Sequence, residues 1–218
     1  MESCFLTLQS RISAFRKSDI YPVISSEFCL GRNPYDIFCA VVEGGARVVQ
    51  LREKNWNKGR LHDLACRCRS VANRYGVLII IDDHLDVALA AHADGVHLGQ
   101  EDLPIAEARK IAPELLIGSS THNLPEIESA HRDGTGYLNI GPIFATQTKT
   151  VGMPPLGVDF LREMVPHVSV PFSVMGGIKA RHIPELIAAG AQTVAMVTEI
   201  TQAENPAEKV RELRKLWK

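Results

Sequence analysis

The chain has 218 residues, and no hydrophobic run in it approaches the ~18 residues that a membrane-spanning helix needs. Met1 to Lys17 lacks the continuous apolar core of a signal peptide, because Glu2, Arg11, Arg16 and Lys17 interrupt it. That segment is expected to form a short helix across one end of a domain. An excess of either charge is also missing: 24 basic against 25 acidic residues leave a net charge of -1, which argues against a dedicated nucleic-acid binder. There are five cysteines and no paired CxxC knuckles, so neither a zinc site nor a disulfide framework is expected. Cys66 and Cys68 form a lone CxC within a helical pattern, and the thiols read as reduced and cytoplasmic. No linker or low-complexity stretch divides the chain.

What is present is an alternation. Short apolar runs rich in β-branched residues stand at Ile20–Ser25, Arg47–Arg52, Val77–Asp82, Gly95–Gly99, Leu115–Ser120, Tyr137–Gly141, Pro171–Gly176 and Thr193–Thr198. Between and after them, apolar residues recur at helical spacing over Pro34–Glu43, Gly59–Tyr75, Leu85–Ala91, Pro104–Ile111, Leu124–Arg132, Val158–Val165, Ala180–Ala188 and Pro206–Leu216. The strands are continuous apolar runs, as when both faces are covered. "EGGARVVQL", "AHADGVHLG" and "AAGAQTVAMV" resemble one another as helix-to-strand turns. The pattern predicts an α/β chain: a (β/α)8 TIM barrel over residues 19–218, near the lower size limit of that fold, with residues 1–18 as a helical extension. An open doubly wound sheet is the rival topology, and it too would gather ligands at the strands' carboxyl ends.

Those ends carry Tyr21, then Gln50, Arg52 and Lys54, then Asp82 and Asp83, then His97 and Asp102, then Ser120 and His122. The last three give "GPIFATQTK", "MGGI" and Val197–Thr198. Asp83 and Asp102 follow adjacent strands and can converge, and hard oxygen donors of this kind suit Mg²⁺. Each also has the position of a helix N-cap, which would explain one acid at each place but not the doubled acids, Asp82–Asp83 and Glu101–Asp102. Gln50, Arg52 and Lys54 alternate along an extended segment and so point one way; a guanidinium and an ammonium there suit phosphate, with a solvated strand end as the lesser alternative, stronger for Lys54 than for Arg52. Gly176–Gly177 before a helix offers backbone N–H groups to a second phosphate. His97 alone has the look of a structural histidine. His122 follows Ser120, but no nucleophile elbow accompanies them, so covalent catalysis is not expected.

"VVQLREK", "DDHLDVALAAHADGVHLGQEDL", "IGSSTHN", "IGPIFATQTK", "VMGGI" and "AGAQTVAMVTEIT" together resemble the thiamine phosphate synthase family over about residues 19–203. The resemblance implies a TIM barrel that condenses an aminopyrimidine methyl diphosphate with a thiazole phosphate. It implies Mg²⁺ on Asp83 and Asp102, and diphosphate contacts from Arg52, Lys54, Ser120 and Lys149. It further implies that Gln50 faces the pyrimidine, with Tyr21, Asp82 and His97 around the substrate. Thr146, Thr148, Gly177, Val197 and Thr198 would hold the thiazole phosphate. Small molecules would be the partners, with no nucleic acid or membrane, and a homodimer is compatible. Two positions depart from the family pattern: Asp82 stands where Asn is usual, and Ala145 where Pro is usual. A related thiazole tautomerase, using His122, and a non-catalytic paralogue that binds thiamine phosphates are the competing readings.

Overall fold

The computed structural model describes residues 2–146, 148 and 154–217. Among them, eight parallel strands close into a barrel in sequence order. These are β1 (Ile20–Ile24), β2 (Val48–Leu51), β3 (Leu78–Asp82), β4 (Gly95–Leu98), β5 (Leu116–Thr121), β6 (Tyr137–Ile140), β7 (Phe172–Val174) and β8 (Thr193–Met196). The helices are α1 (Leu8–Arg16), α2 (Pro34–Glu43), α3 (Lys58–Tyr75), α4 (Leu85–Ala90), α5 (Ile105–Ile111), α6 (Leu124–Arg132), α7 (Gly157–Met164), α8 (Ile183–Ala188), α9 (Thr198–Thr201) and α10 (Pro206–Lys215). The eighth strand stops at Met196, two residues short of the sequence expectation, because the chain turns at Val197 (φ −103°, ψ −91°) into α9.

The helix-to-strand turns share one mechanism. The chain turns left-handed at Gly45, Gly76, His92, Gly134 and Gly190. In each turn the next N–H then reaches back five residues to a helix carbonyl, as from Ala46 to Val41 (3.0 Å), Ala93 to Ala88 (2.9 Å) and Ala191 to Leu186 (2.9 Å). His92 takes this conformation without being glycine, so the turn before β4 is made at some backbone cost.

Alternate strand residues divide between two cores. Ile24, Leu51, Ile81, Leu98, Ile140 and Met196 face the helices. Tyr21, Val23, Val48, Leu78, Ile80, Leu116, Tyr137 and Ala195 fill the barrel. Phe15 of α1 joins this inner cluster, fully buried, with its ring stacked on Tyr137 (4.2 Å between centroids) and edge-on to Tyr21 (5.7 Å). The amino-terminal helix therefore closes the end of the barrel where the strands begin. Its lead-in is tied down as well. Ser3 donates to the buried carboxylate of Asp94, which also accepts from Arg69 (2.7 Å) and from the Ile79 N–H (2.7 Å). Among the described residues no helix is long and apolar enough to cross a membrane.

Candidate active site

At the opposite end of the barrel, a polar chain crosses the interior above the aromatic floor. Gln50 Nε2 donates to the Tyr21 hydroxyl (3.0 Å), and the Tyr21 and Tyr137 hydroxyls lie 3.0 Å apart. The Tyr137 hydroxyl lies 3.0 Å from His97 Nδ1, and His97 Nε2 lies 2.9 Å from Ser120 Oγ. One proton order consistent with these distances starts at the Gln50 amide, with each hydroxyl passing its own proton onward. His97 Nδ1 then accepts, its Nε2 carries the hydrogen, and Ser120 accepts from it. That leaves the Ser120 hydroxyl proton to be donated into the site. Burial pushes both tyrosine hydroxyls well above their ordinary range, so they act here as neutral donors. Tyr137 fits because residue 118, across from it on β5, is glycine, and a Cβ there would fall on its ring.

Beside this chain, three carboxylates meet two cations. β3 ends at Asp82, and Asp83 takes a left-handed backbone (φ 60°), its N–H held by the His97 carbonyl (2.8 Å). The cap of α4 is His84, so Asp83 is not spent as a helix cap. Lys54 pairs with Asp83 and lies 3.2 Å from Asp82, while Arg52 Nε lies 3.3 Å from the same Asp82 oxygen. Neither contact to Asp82 has hydrogen-bond alignment, and that buried oxygen is otherwise unsatisfied. Asp102 accepts from the Gly99 N–H (2.6 Å) and stands within hydrogen-bonding reach of Asp83.

The charges respond to one another. Burial pushes the Asp82 carboxyl up to about 6, the Asp83 charge adds to this, and Lys54 and Arg52 work against it. Burial also works to raise Asp83, but the hydrogen bond and charge of Lys54 outweigh it and hold that carboxyl low. Asp102 is raised, by burial first and by the Asp83 charge, against the pull of the Gly99 N–H. Burial would lower the Lys54 ammonium, yet Asp82 and Asp83 together raise it. Two carboxylates held this close repel unless a proton or a cation lies between them.

A second recess opens beyond β7 and β8. Thr146, Thr148, Gly176, Gly177, Lys179, Val197 and Thr198 line a cleft of about 50 Å³. The Thr146 and Thr148 hydroxyls lie 3.0 Å apart. Gly176 (φ 102°) and Gly177 (φ 60°) are both left-handed, and a Cβ on Gly177 would press on the Phe144 and Ala145 backbone. Neither the Gly176 nor the Gly177 N–H has a backbone partner among the described residues, so both are open to an anion at this cleft.

The expected residues thus separate into three places. Tyr21, Gln50, His97 and Ser120 form the polar chain; Arg52, Lys54, Asp82, Asp83 and Asp102 form the charged cluster; Thr146, Thr148, Gly177, Val197 and Thr198 line the cleft. Lys149 lies outside the described residues. His122 is not paired with Ser120: its Nδ1 lies 2.8 Å from Glu126, an acid four residues on that the sequence reading did not connect to it. Three participants were not anticipated. Tyr137 links Tyr21 to His97, and its signal was its inward register on β6. Asn139, two residues further, is buried with its Oδ1 unpartnered. Lys179 is the first cation after the glycine pair, and it pairs with Glu199 (3.2 Å) at the cleft.

The thiamine monophosphate synthase family model matches residues 20–200. The thiamine-phosphate synthase of Pelotomaculum thermopropionicum is 39% identical over 204 residues, covering 93% of this chain and 94% of the relative. That of Chloroflexus aurantiacus is 41% identical over 197 residues, covering 90% and 91%. Among solved structures, thiamine phosphate pyrophosphorylase from Pyrococcus furiosus superposes with a TM-score of 0.85 at 32% identity, covering 93% of this chain and 96% of that one. A 3-hexulose-6-phosphate synthase (TM-score 0.67, 20% identity) shares the fold alone. A match of this extent, over a barrel that carries the expected motifs at its strand ends, makes the chain a member of the thiamine monophosphate synthase family.

Proposed function

We propose that the chain joins a pyrimidinylmethyl diphosphate to a thiazole phosphate, giving thiamine phosphate and pyrophosphate, with one Mg²⁺ held by Asp83 and Asp102. The observation that carries this reading is the closeness of those two carboxylates, beside Lys54 and at the mouth of the barrel. Among the described residues no three His, Cys, Asp or Glu side chains are arranged to hold one metal ion, and the Asp82 carboxylate is turned to Arg52 and Lys54. Mg²⁺ needs only one or two carboxylates, because water and phosphate oxygens complete its shell, so the donor set fits. When bound, the ion supplies positive charge to the diphosphate leaving group.

The remaining work falls to the chain's own residues. Arg52 offers a fork to phosphate oxygens, Lys54 a point charge, and Ser120 the hydroxyl proton left free by His97. Lys149 joins them by its place in the family motif. Gln50, with Tyr21 and His97 behind it, faces the pyrimidine. Thr146, Thr148 and the backbone at Gly177, Val197 and Thr198 hold the thiazole phosphate. In the reaction, the carbon–oxygen bond to the diphosphate breaks and its electron pair leaves with the oxygen. The thiazole nitrogen lone pair forms the new carbon–nitrogen bond. No proton has to be removed by the protein, so the barrel's contribution is charge and alignment. Asp82 adds negative charge beside the diphosphate, and Arg52 and Lys54 offset it.

The isomerase reading has His122–Glu126 in its favour, an oriented imidazole. It leaves Lys54, Asp83 and Asp102 assembled without a use. The deciding experiment supplies both substrates and measures thiamine phosphate by mass spectrometry, with Mg²⁺ or with chelator, alongside calorimetric Mg²⁺ binding. Product that requires Mg²⁺, together with binding lost in Asp83→Ala, is expected. Folded protein that makes no product with Mg²⁺ present would sink the proposal.

A further inference from the structure

A second cavity, of about 460 Å³, shares no lining residue with the candidate active site. Its size is that of a small-molecule site. Its walls include Ser26, Arg32, Trp56, Arg60, Asp63 and Arg67. The guanidinium of Arg60 lies 3.5 Å above the Trp56 ring, and that of Arg67 lies 4.3 Å above the Tyr35 ring. Stacking fixes the plane of a guanidinium and leaves the N–H donors around its edge open. Neither side chain makes an ion pair or a hydrogen bond with any described residue.

The placement of these cations is not explained by helix stability. Arg60 lies in the first turn of α3, where a positive charge works against the helix dipole. Lys58 in the same turn has Asp86 as its partner (2.8 Å), whereas Arg60 makes no contact ion pair and only lowers the Glu53 carboxyl through its charge. Arg60 and Arg67 are seven residues apart, two helical turns, so both lie on one stripe about 10 Å long with Asp63 between them.

The nearby charges leave the cavity positive. Arg32 uses its donors on the carbonyls of Cys29, Thr201 and Ala203, keeping its charge. Glu53 is the buried acid closest in the chain, and its carboxylate is spent on the Ser26 N–H (2.7 Å) and hydroxyl (2.6 Å). Asp63 is exposed, 3.6 Å from His62 Nδ1. Among the described lining residues, three guanidinium groups therefore face one carboxylate, Asp63, with two of the forks open.

We propose that this cavity is a binding site for a small organic polyphosphate, held by the open forks of Arg60 and Arg67. The site is separate from the one that performs the condensation, and its occupancy does not depend on Asp83. The Ser26–Glu53 contact connects it to the Arg52–Lys54 segment, since Glu53 stands between those two residues.

Calorimetric titration of the full chain with ADP in chelator tests this. Saturable binding is expected in the native chain and in Asp83→Ala, and R60Q/R67Q should weaken it about tenfold or more while condensation activity stays normal. R60K/R67K, which keeps the charge but not the fork, should fall between the two. Circular dichroism checks each fold, and R67Q alone serves if the double variant does not fold. Absence of saturable binding at millimolar ADP overturns the proposal. So does binding that survives R60Q/R67Q, or binding that Asp83→Ala removes.

Discussion

Asp82→Asn is expected to stabilise the metal-free protein at neutral pH and to leave it unchanged in acid. The Asp82 side chain is 8% exposed, and burial with the Asp83 charge pushes its carboxyl up to about 6 from an ordinary 3.8. The folded chain therefore holds this proton more tightly than the unfolded chain. Between those two pH values the native state carries more protons, so its stability falls as pH rises through the window and stays low above it. A separation of about two pH units corresponds to about 3 kcal/mol at pH 7. Asparagine is neutral throughout and escapes the penalty. For a domain of this size 1 kcal/mol moves the Tm by ~2–4 °C, so a rise of about 6–12 °C is expected at pH 7.5 in chelator, shrinking toward zero near pH 4. Differential scanning calorimetry across that range is the assay. A lower Tm at pH 7.5, or an equal gain at pH 4 and 7.5, would refute the reasoning, because either result means that burial of the Asp82 charge does not outweigh its pairing with Arg52 and Lys54.

Gly177→Ala should raise KM for the thiazole phosphate in steady-state assays and leave KM for the pyrimidine substrate near normal, since a side chain at φ 60° presses on the Ala145 backbone. Tyr137→Phe removes the hydroxyl between Tyr21 and His97, and a loss of about 1–3 kcal/mol is expected in urea unfolding. Asp94→Ala strands the buried Arg69 guanidinium and should cost about 3–5 kcal/mol by the same measurement, with little effect on turnover if the protein is kept cold. Asp102→Ala should abolish turnover and calorimetric Mg²⁺ binding together while the far-ultraviolet circular dichroism stays native; retained Mg²⁺ affinity would remove Asp102 from the metal site.

The barrel was legible because its signals are local. Each apolar run is short, and each helix-to-strand turn repeats one pattern, so element order could be read residue by residue. Asp83 and Asp102 were legible as a pair for the same reason, once β3 and β4 were taken as neighbours. What could not be read was conformation and distance. Nothing in "IDDHLD" announces that Asp83 turns left-handed and so escapes the helix-capping role, and His92 gave no hint of doing what glycine does elsewhere. Tyr137 looked like an ordinary strand aromatic until closure of the barrel brought it to Tyr21 and His97. Phe15 looked like one apolar residue in a polar helix. Glu126 looked like part of a helix face, and only the turn after β5 brings it back to His122.

Phe15 has a consequence for traffic. With the far end closed by its ring and the interior filled by side chains, the barrel can admit ligands only at the end where the strands finish. Gln50 and Tyr21 are buried inside that end, while Thr146, Gly177 and Val197 line the cleft beyond β7 and β8. On the proposed reading, the pyrimidine has to descend before the thiazole can settle above it, and the joined product has to leave by the way both arrived. A plugged floor would thus impose an order of entry on the two substrates and a shared exit on what they become.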